Sequence, residues 1–224
     1  MKKLIIFLFL FNISNLQSSE IKLVKVFDGL NKPWSLSFID ENNILVTEKS
    51  GNLLTINLKD KTKSVIKHNL SILEDGQGGL LDVLYHSGSV YVSYSENRGN
   101  RYSSTSVAKG VFNNKNIVFK NIFRAEPPIN SGYHFGSRLV IKNNKLYITA
   151  GERGKGMIAQ DPQKHPGSII RINLDGSIPE DNPKFKEKKN WLPEIYQIGV
   201  RNPQGMALSP FDDKIYLSNH GAKG

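Results

Sequence analysis

Apolar residues in this chain recur at every second position, in short bursts, rather than at helical spacing. Trp34, Leu36 and Phe38 form one burst, and Ile44 and Val46 a second. Val90, Val92 and Tyr94 form a third, and Leu146 and Ile148 a fourth. Side chains two residues apart share one face of an extended chain, so this period predicts half-buried strands. Gly, Asn, Asp or Pro bounds each burst and supplies the turns of antiparallel pairs. No segment sustains a 3.6-residue apolar period. Beyond residue 19 the chain reads as nearly all β, with no helix longer than about three turns.

A loose module repeats within this pattern: an apolar strand, a polar turn, then a second strand ending in small or charged residues. Trp34–Phe38 precedes Ile44–Glu48, and Leu80–Tyr85 precedes Val90–Tyr94. Arg138–Ile141 precedes Leu146–Thr149, and Gly205–Ser209 precedes Ile215–Ser218. Copies spaced some tens of residues apart point to propeller blades, although a sandwich or barrel also consists of short strands. The last module runs into Asn219-His220-Gly221-Ala222-Lys223-Gly224, where a glycine-rich loop has just begun.

Composition narrows the function classes. With 38% hydrophobic residues and no long polar tract, the chain is globular. It has no cysteine, which removes disulfides, thiol nucleophiles and Cys-based zinc sites together. The formal charge of +10 raises the question of nucleic acid. The lysines are scattered through turns, however, and the one dense run, at 184–189, is interrupted by Glu187 and reads as a solvated loop. No nucleic-acid partner is expected, although the positive balance favours anionic ligands. Residues 1–19 begin with Lys2 and Lys3, continue through the apolar run Leu4–Phe11 and end in Ser18 and Ser19. That order describes a secretory signal peptide, with a core too short to span a bilayer. The expectation is a periplasmic or secreted protein with no stable membrane insertion after cleavage.

Several loops carry candidate chemistry. In Gly199-Val200-Arg201-Asn202-Pro203-Gln204-Gly205, a forked guanidinium sits beside two amides between apolar runs. Such a set suits a carboxylate- or carbonyl-bearing ligand, but an Asx-Pro turn with a surface arginine would read the same way. His134 follows Gly132-Tyr133 in a loop and is the leading candidate for a base, the alternative being a structural or solvated histidine. Gln77, in Asp75-Gly76-Gln77-Gly78-Gly79, lies where paired glycines imply positive φ, close ligand approach or an ordinary turn. Gly151-Glu152-Arg153-Gly154 looks like a weak phosphate nest, but it follows a strand and no helix is predicted after it. Asp175-Gly176-Ser177 fails the EF-hand spacing, because Lys186 stands at the twelfth position, and reads as a turn.

These segments occur in an order that resembles the glucose/sorbosone dehydrogenase family, soluble quinoprotein sugar oxidases. The matching stretches are Asp75–Leu81, His134-Phe135-Gly136-Ser137-Arg138-Leu139, Gly151–Gly154 with Ala159-Gln160-Asp161, Arg171–Pro183, and Arg201-Asn202-Pro203-Gln204-Gly205. The resemblance implies an all-β, six-bladed β-propeller, of which this chain, read as truncated, covers roughly the first four blades over residues 20–224. It implies pyrroloquinoline quinone (PQQ) and calcium as cofactors, a sugar oxidised at its anomeric carbon to a lactone, and an external electron acceptor. By the same resemblance, His134 is the general base, Arg201 and Asn202 contact the quinone, and Gln77 faces both substrate and cofactor. Arg153 and Gln160, with Glu152, border the sugar, and the main-chain carbonyls of Gly221 and Ala222 hold calcium. Two features depart from the pattern: Tyr133 replaces the aspartate that precedes the histidine in the glucose-oxidising branch, and Ala222 replaces a proline. A calcium-dependent lactone hydrolase on a similar propeller, or an inactive binding propeller, are the other readings.

Overall fold

The computed structural model describes residues 21–183 and 190–221. Residues 1–20, which include the expected signal peptide, the basic run at 184–189, and residues 222–224 with Ala222 lie outside the described residues. Within them the chain is all β. The one helical element is a five-residue 3-10 turn, Gly156–Gln160.

The strands form successive antiparallel meanders. The first contains β1 (Pro33–Phe38), β2 (Asn43–Glu48), β3 (Leu53–Asn57) and β4 (Thr62–His68) in sequence order. The second begins with β5 (Leu80–His86), β6 (Ser89–Asn97) and β7 (Ser103–Val111). A two-residue strand, β8 (Asn116–Ile117), then crosses back to pair in parallel with β4, and β9 (Lys120–Arg124) completes the second sheet beside β7. The third comprises β10 (Gly136–Lys142), β11 (Lys145–Ala150), β12 (Ser168–Asn173) and β13 (Ile195–Ile198). The hairpin of β14 (Gly205–Leu208) and β15 (Ile215–Ser218) opens a fourth. Each repeated module of the sequence is the first hairpin of one sheet.

The first strands of successive sheets lie against one another: β1 beside β5, β5 beside β10, and β10 beside β14. This is the arrangement of consecutive propeller blades around an axis. The cores lie between the sheets. Leu45, Leu53 and Ile66 of the first pack on Leu80, Val90, Val92 and Tyr94 of the second. Tyr91, Val107 and Phe123 of the second pack on Leu139, Leu146, Ile148 and Ile170 of the third. β6 is therefore buried on both faces, with large residues toward one neighbour and Tyr91, Ser93 and Ser95 toward the other.

β1 departs from the simple inward alternation. Ser35 and Ser37 face the second sheet, where Ser35 Oγ bonds Asp82 Oδ1 and Ser37 Oγ accepts the Tyr85 amide. Leu36 and Phe38, at 55% and 60% exposed, line the opposite apolar face together with Val24, Val26 and Phe27.

Near the axis one arginine joins all four sheets. Arg138 Nη1 donates to Asp82 Oδ1 at 2.9 Å and to Ser35 Oγ at 3.2 Å, Nε donates to the Gln204 carbonyl at 3.0 Å, and the guanidinium covers the Trp34 ring. Asp82 is almost fully buried, and its second oxygen accepts the Leu139 amide. Burial pushes this carboxyl up and Arg138 pulls it back.

Candidate active site

The loops entering each sheet near the axis meet at one end. His134 leads into β10 with φ of 51°, a left-handed conformation that costs a non-glycine residue energy and that its surroundings must hold. They do so from three directions. Gln77 Oε1 accepts the His134 amide at 2.9 Å, and the Gln77 amide donates to the Gly132 carbonyl at 2.7 Å. Gly76, at φ 55°, lies so close that a β-carbon there would overlap the Gly132 carbonyl oxygen. On the other side Gly151 faces the His134 carbonyl, where a β-carbon would also overlap. The glycines flanking Gln77 and Glu152 are therefore required by close backbone approach.

The imidazole is fixed by a carboxylate. His134 Nδ1 lies 2.5 Å from Glu152 Oε1, and the two side chains are 13% and 5% exposed. The other carboxylate oxygen accepts the Gly156 amide at 3.0 Å. A carboxylate at Nδ1 selects the tautomer with the proton there and leaves the Nε2 lone pair free to accept a proton.

Arg201 adjoins the pair. Its carbonyl accepts the Glu152 amide at 2.8 Å, and its Nε lies 3.9 Å from Glu152 Oε1. Nη1 donates to the carbonyls of His220 and Gly221 at 3.2 and 3.3 Å. Asn219 Oδ1 accepts the amides of both Arg201 and Asn202. Asn202 is buried, and its Oδ1 accepts the Gly136 amide at 3.1 Å. Hydrogen bonds and close contacts thus link Gln77, His134, Glu152, Arg201, Asn202 and Gly221, which come from five separate loops. Among the described residues, the side-chain nitrogens of Gln77 and Asn202 and Nη2 of Arg201 donate to nothing. A planar, carbonyl- and carboxylate-bearing group such as PQQ fits this donor set.

The structure places two other candidates, Arg153 and Gln160, away from this group. Arg153 is only 2% exposed. Its guanidinium stacks 3.6 Å over Phe135 and donates to the carbonyls of Tyr133, Ser103 and Ser131 and to Ser103 Oγ. Burial lowers it to about 10. This corrects the sequence reading, because a guanidinium so committed has no edge left for a sugar hydroxyl; it braces the 131–135 loop from beneath. Gln160 is exposed, lies over Gly199 and makes no hydrogen bond to the His134 group. The Gly221 carbonyl faces the Arg201 guanidinium, and a cation placed there would meet a fixed positive charge. No cluster of three or more acidic or histidine side chains occurs among the described residues. The Gly221 carbonyl by itself is therefore no calcium site, and Ala222, the other carbonyl named for calcium, lies outside the described residues.

Sequence reasoning grouped Glu152 with the sugar contacts and missed its pairing with His134, and it missed Asn219 altogether. Nothing in the spacing of positions 134 and 152 reveals the pair, which depends on how the strand β11 returns. The remaining candidate calcium loop is a turn: Asp175 Oδ1 accepts the Ser177 amide, and Asp181 binds Arg171.

A glucose/sorbosone dehydrogenase family model matches residues 30–224. The aldose sugar dehydrogenase YliI of Escherichia coli K12 is 35% identical over 207 residues, which is 88% of this chain and 56% of that protein. Quinoprotein glucose dehydrogenase B of Acinetobacter calcoaceticus is 30% identical over 230 residues, covering 88% of this chain and 47% of that protein. The crystal structure of the soluble aldose sugar dehydrogenase of E. coli in its apo-form superposes with a TM-score of 0.82 at 33% identity, covering 88% of this chain and 59% of that one. This chain therefore spans about half the length of these relatives. With the family model, the sequence relatives and the fold in agreement, the chain belongs to the glucose/sorbosone dehydrogenase family.

Proposed function

We propose that this protein is the aldose-oxidising part of a six-bladed quinoprotein propeller that converts a sugar to its lactone at the anomeric carbon. The observation that carries this reading is the 2.5 Å contact between His134 Nδ1 and Glu152, which leaves Nε2 as a proton acceptor. PQQ, when bound, would supply the two-electron acceptor. Gln77, Arg201 and Asn202 would hold it through their uncommitted donors. His134 Nε2 would take the proton of the anomeric hydroxyl, and Glu152 would keep Nδ1–H in place and stabilise the imidazolium. Arg201 would present positive charge to an oxygen that gains negative charge. No step is assigned to calcium, because the Gly221 carbonyl faces a guanidinium.

The names of the relatives, an aldose sugar dehydrogenase and a quinoprotein glucose dehydrogenase, support the same reaction class. The signal-like order of residues 1–19 supports a periplasmic or secreted location, with electrons passing to an external acceptor. No helix among the described residues is long and apolar enough to cross a membrane.

The test is PQQ-dependent reduction of an artificial electron acceptor by aldoses, measured on the protein extended to the length of its relatives. Lactone formation that requires PQQ supports the reading. A protein that binds sugar and PQQ without turnover would be a binding propeller instead.

A further inference from the structure

At the end of the first sheet away from His134 lies a polar cleft of about 730 Å³ that the proposed reaction does not use. β2 starts beside it at Asn43 and ends at Glu48, and the next residue, Lys49, donates to the Gly76 carbonyl beside Gln77 at 2.6 Å. The length of that strand, roughly 20 Å, separates the cleft from the candidate active site. Strand register places Thr55 between Leu45 and Ser64, on the face that turns toward the second sheet. Leu45 is covered there and Ser64 is not, so the second sheet stops short and leaves the cleft open. Thr55 Oγ1 lies buried along it with no hydrogen-bond partner among the described residues. A buried hydroxyl without a partner costs free energy, which a ligand oxygen can recover.

The rim adds two cations. The parallel return of β8 to β4 sets Lys67 opposite Asn116, and the Lys67 amide donates to the Lys115 carbonyl at 3.0 Å. Both lysine side chains line the cleft, and neither forms an ion pair or hydrogen bond among the described residues. The hydroxyls of Thr62 and Ser64 are likewise uncommitted. Among the described residues, no acidic or aromatic side chain lines the cleft. Asp40, in the adjoining turn, spends its carboxylate on Asn42 and Asn43.

We propose that this cleft is a second ligand site, which takes a small polyol carrying a phosphate monoester. The two ammonium groups meet the phosphate, which brings the negative charge that neither lysine finds in the protein. Two like charges on paired strands repel, and a dianion bound by both reverses the sign of that interaction. Thr55, Thr62 and Ser64 offer hydroxyls that donate and accept, as the hydroxyls of a polyol do. The volume is that of a small-molecule site and exceeds what a bare oxyanion fills. Without an aromatic ring the cleft has no platform on which to stack a neutral sugar, so charge carries the recognition.

The test is a titration of the chain with inositol monophosphate, inositol and inorganic phosphate, followed by amide NMR and calorimetry. Inositol has no anomeric carbon, so binding at His134 cannot mimic the result. The proposal expects inositol monophosphate to shift the amides of Thr55, Ser64, Lys67 and Asn116 and to leave that of His134 unmoved. Inorganic phosphate should bind at least about tenfold more weakly, and inositol not at all. Combining Lys67→Gln with Lys115→Gln should lower affinity for inositol monophosphate about tenfold or more. Both lysines are exposed, so thermal unfolding should not change. Thr55→Val keeps the shape of the side chain and removes the hydroxyl. It should weaken binding about threefold and leave the unfolding midpoint unchanged or higher, because that hydroxyl satisfies nothing in the free protein. No binding by wild type, equal binding of inorganic phosphate or inositol, shifts confined to the His134 loops, or full affinity in the double lysine variant would overturn the proposal. So would a lower midpoint in Thr55→Val, which would mean that the fold already uses the hydroxyl.

Discussion

Glu152 Oε1 lies 2.5 Å from His134 Nδ1, while Glu152 Oε2 accepts the Gly156 amide, so one buried carboxylate fixes both the imidazole and the loop beyond it. A glutamine at 152 has one acceptor oxygen where the carboxylate has two, and it carries no charge to stabilise an imidazolium. Glu152→Gln is expected to lower kcat by roughly two orders of magnitude or more, with KM for the sugar little changed. Steady-state kinetics at saturating PQQ measure both. Full activity in this variant would mean that the carboxylate does not orient the base.

Gly151 tests the local geometry from the backbone side. A β-carbon at this position would overlap the His134 carbonyl oxygen, and backbone cannot give way as a flexible side chain can. Gly151→Ala should displace the His134 loop, losing most turnover and lowering Tm by several degrees. Differential scanning calorimetry beside an activity assay resolves the two effects. An alanine tolerated in both would show that the two loops are not in contact in solution.

The axial arginine is expected to carry stability. Arg138→Ala leaves Asp82 buried without its cation and breaks contacts to Trp34, Ser35 and the Gln204 carbonyl. Loss of one partner of a buried pair typically costs about 3–5 kcal/mol. Adding Asp82→Asn to that variant should recover part of the loss, because the uncompensated charge is then gone. Urea unfolding of the single and double variants measures the coupling. A double variant no more stable than Arg138→Ala would remove the argument.

Tyr94 sets an alkaline limit. Burial, aided by the negative charge of Glu96, pushes its hydroxyl up to about 12, while the hydroxyl donates to Asn121 Oδ1 at 2.7 Å. The folded state therefore keeps a proton that the unfolded chain releases near pH 10. The resulting stability is fully present below pH 10 and is lost as pH rises from 10 to about 12. Unfolding free energies across that window should fall less steeply for Tyr94→Phe than for wild type. Parallel slopes would contradict the assignment.

The first two strands of every sheet were legible in the sequence, because alternating apolar residues and bounding turn residues act locally. Val90, Val92 and Tyr94 show it well: each lies on the one face of β6 that packs against the first sheet. β1 shows the limit. Its serines, not its apolar residues, face the neighbouring sheet, because the approach of Asp82 and Tyr85 requires small hydroxyl side chains there. The outer strands are less regular, and the return of Asn116–Ile117 to β4 is a long-range pairing that no local period encodes. At the site, His134, Gln77, Arg201 and Asn202 were legible through their motifs. The pairing of Glu152 with His134 and the burial of Arg153 were not, since both follow from how separate sheets stack.

The central claim is that His134 is the proton acceptor, and the most direct measurement compares turnover and PQQ binding in His134→Ala. The account predicts that turnover falls by roughly two to four orders of magnitude while PQQ affinity changes far less, because the base acts on the sugar. Arg201→Ala should weaken both. Turnover that survives in His134→Ala with PQQ bound would contradict the mechanism whatever the fold.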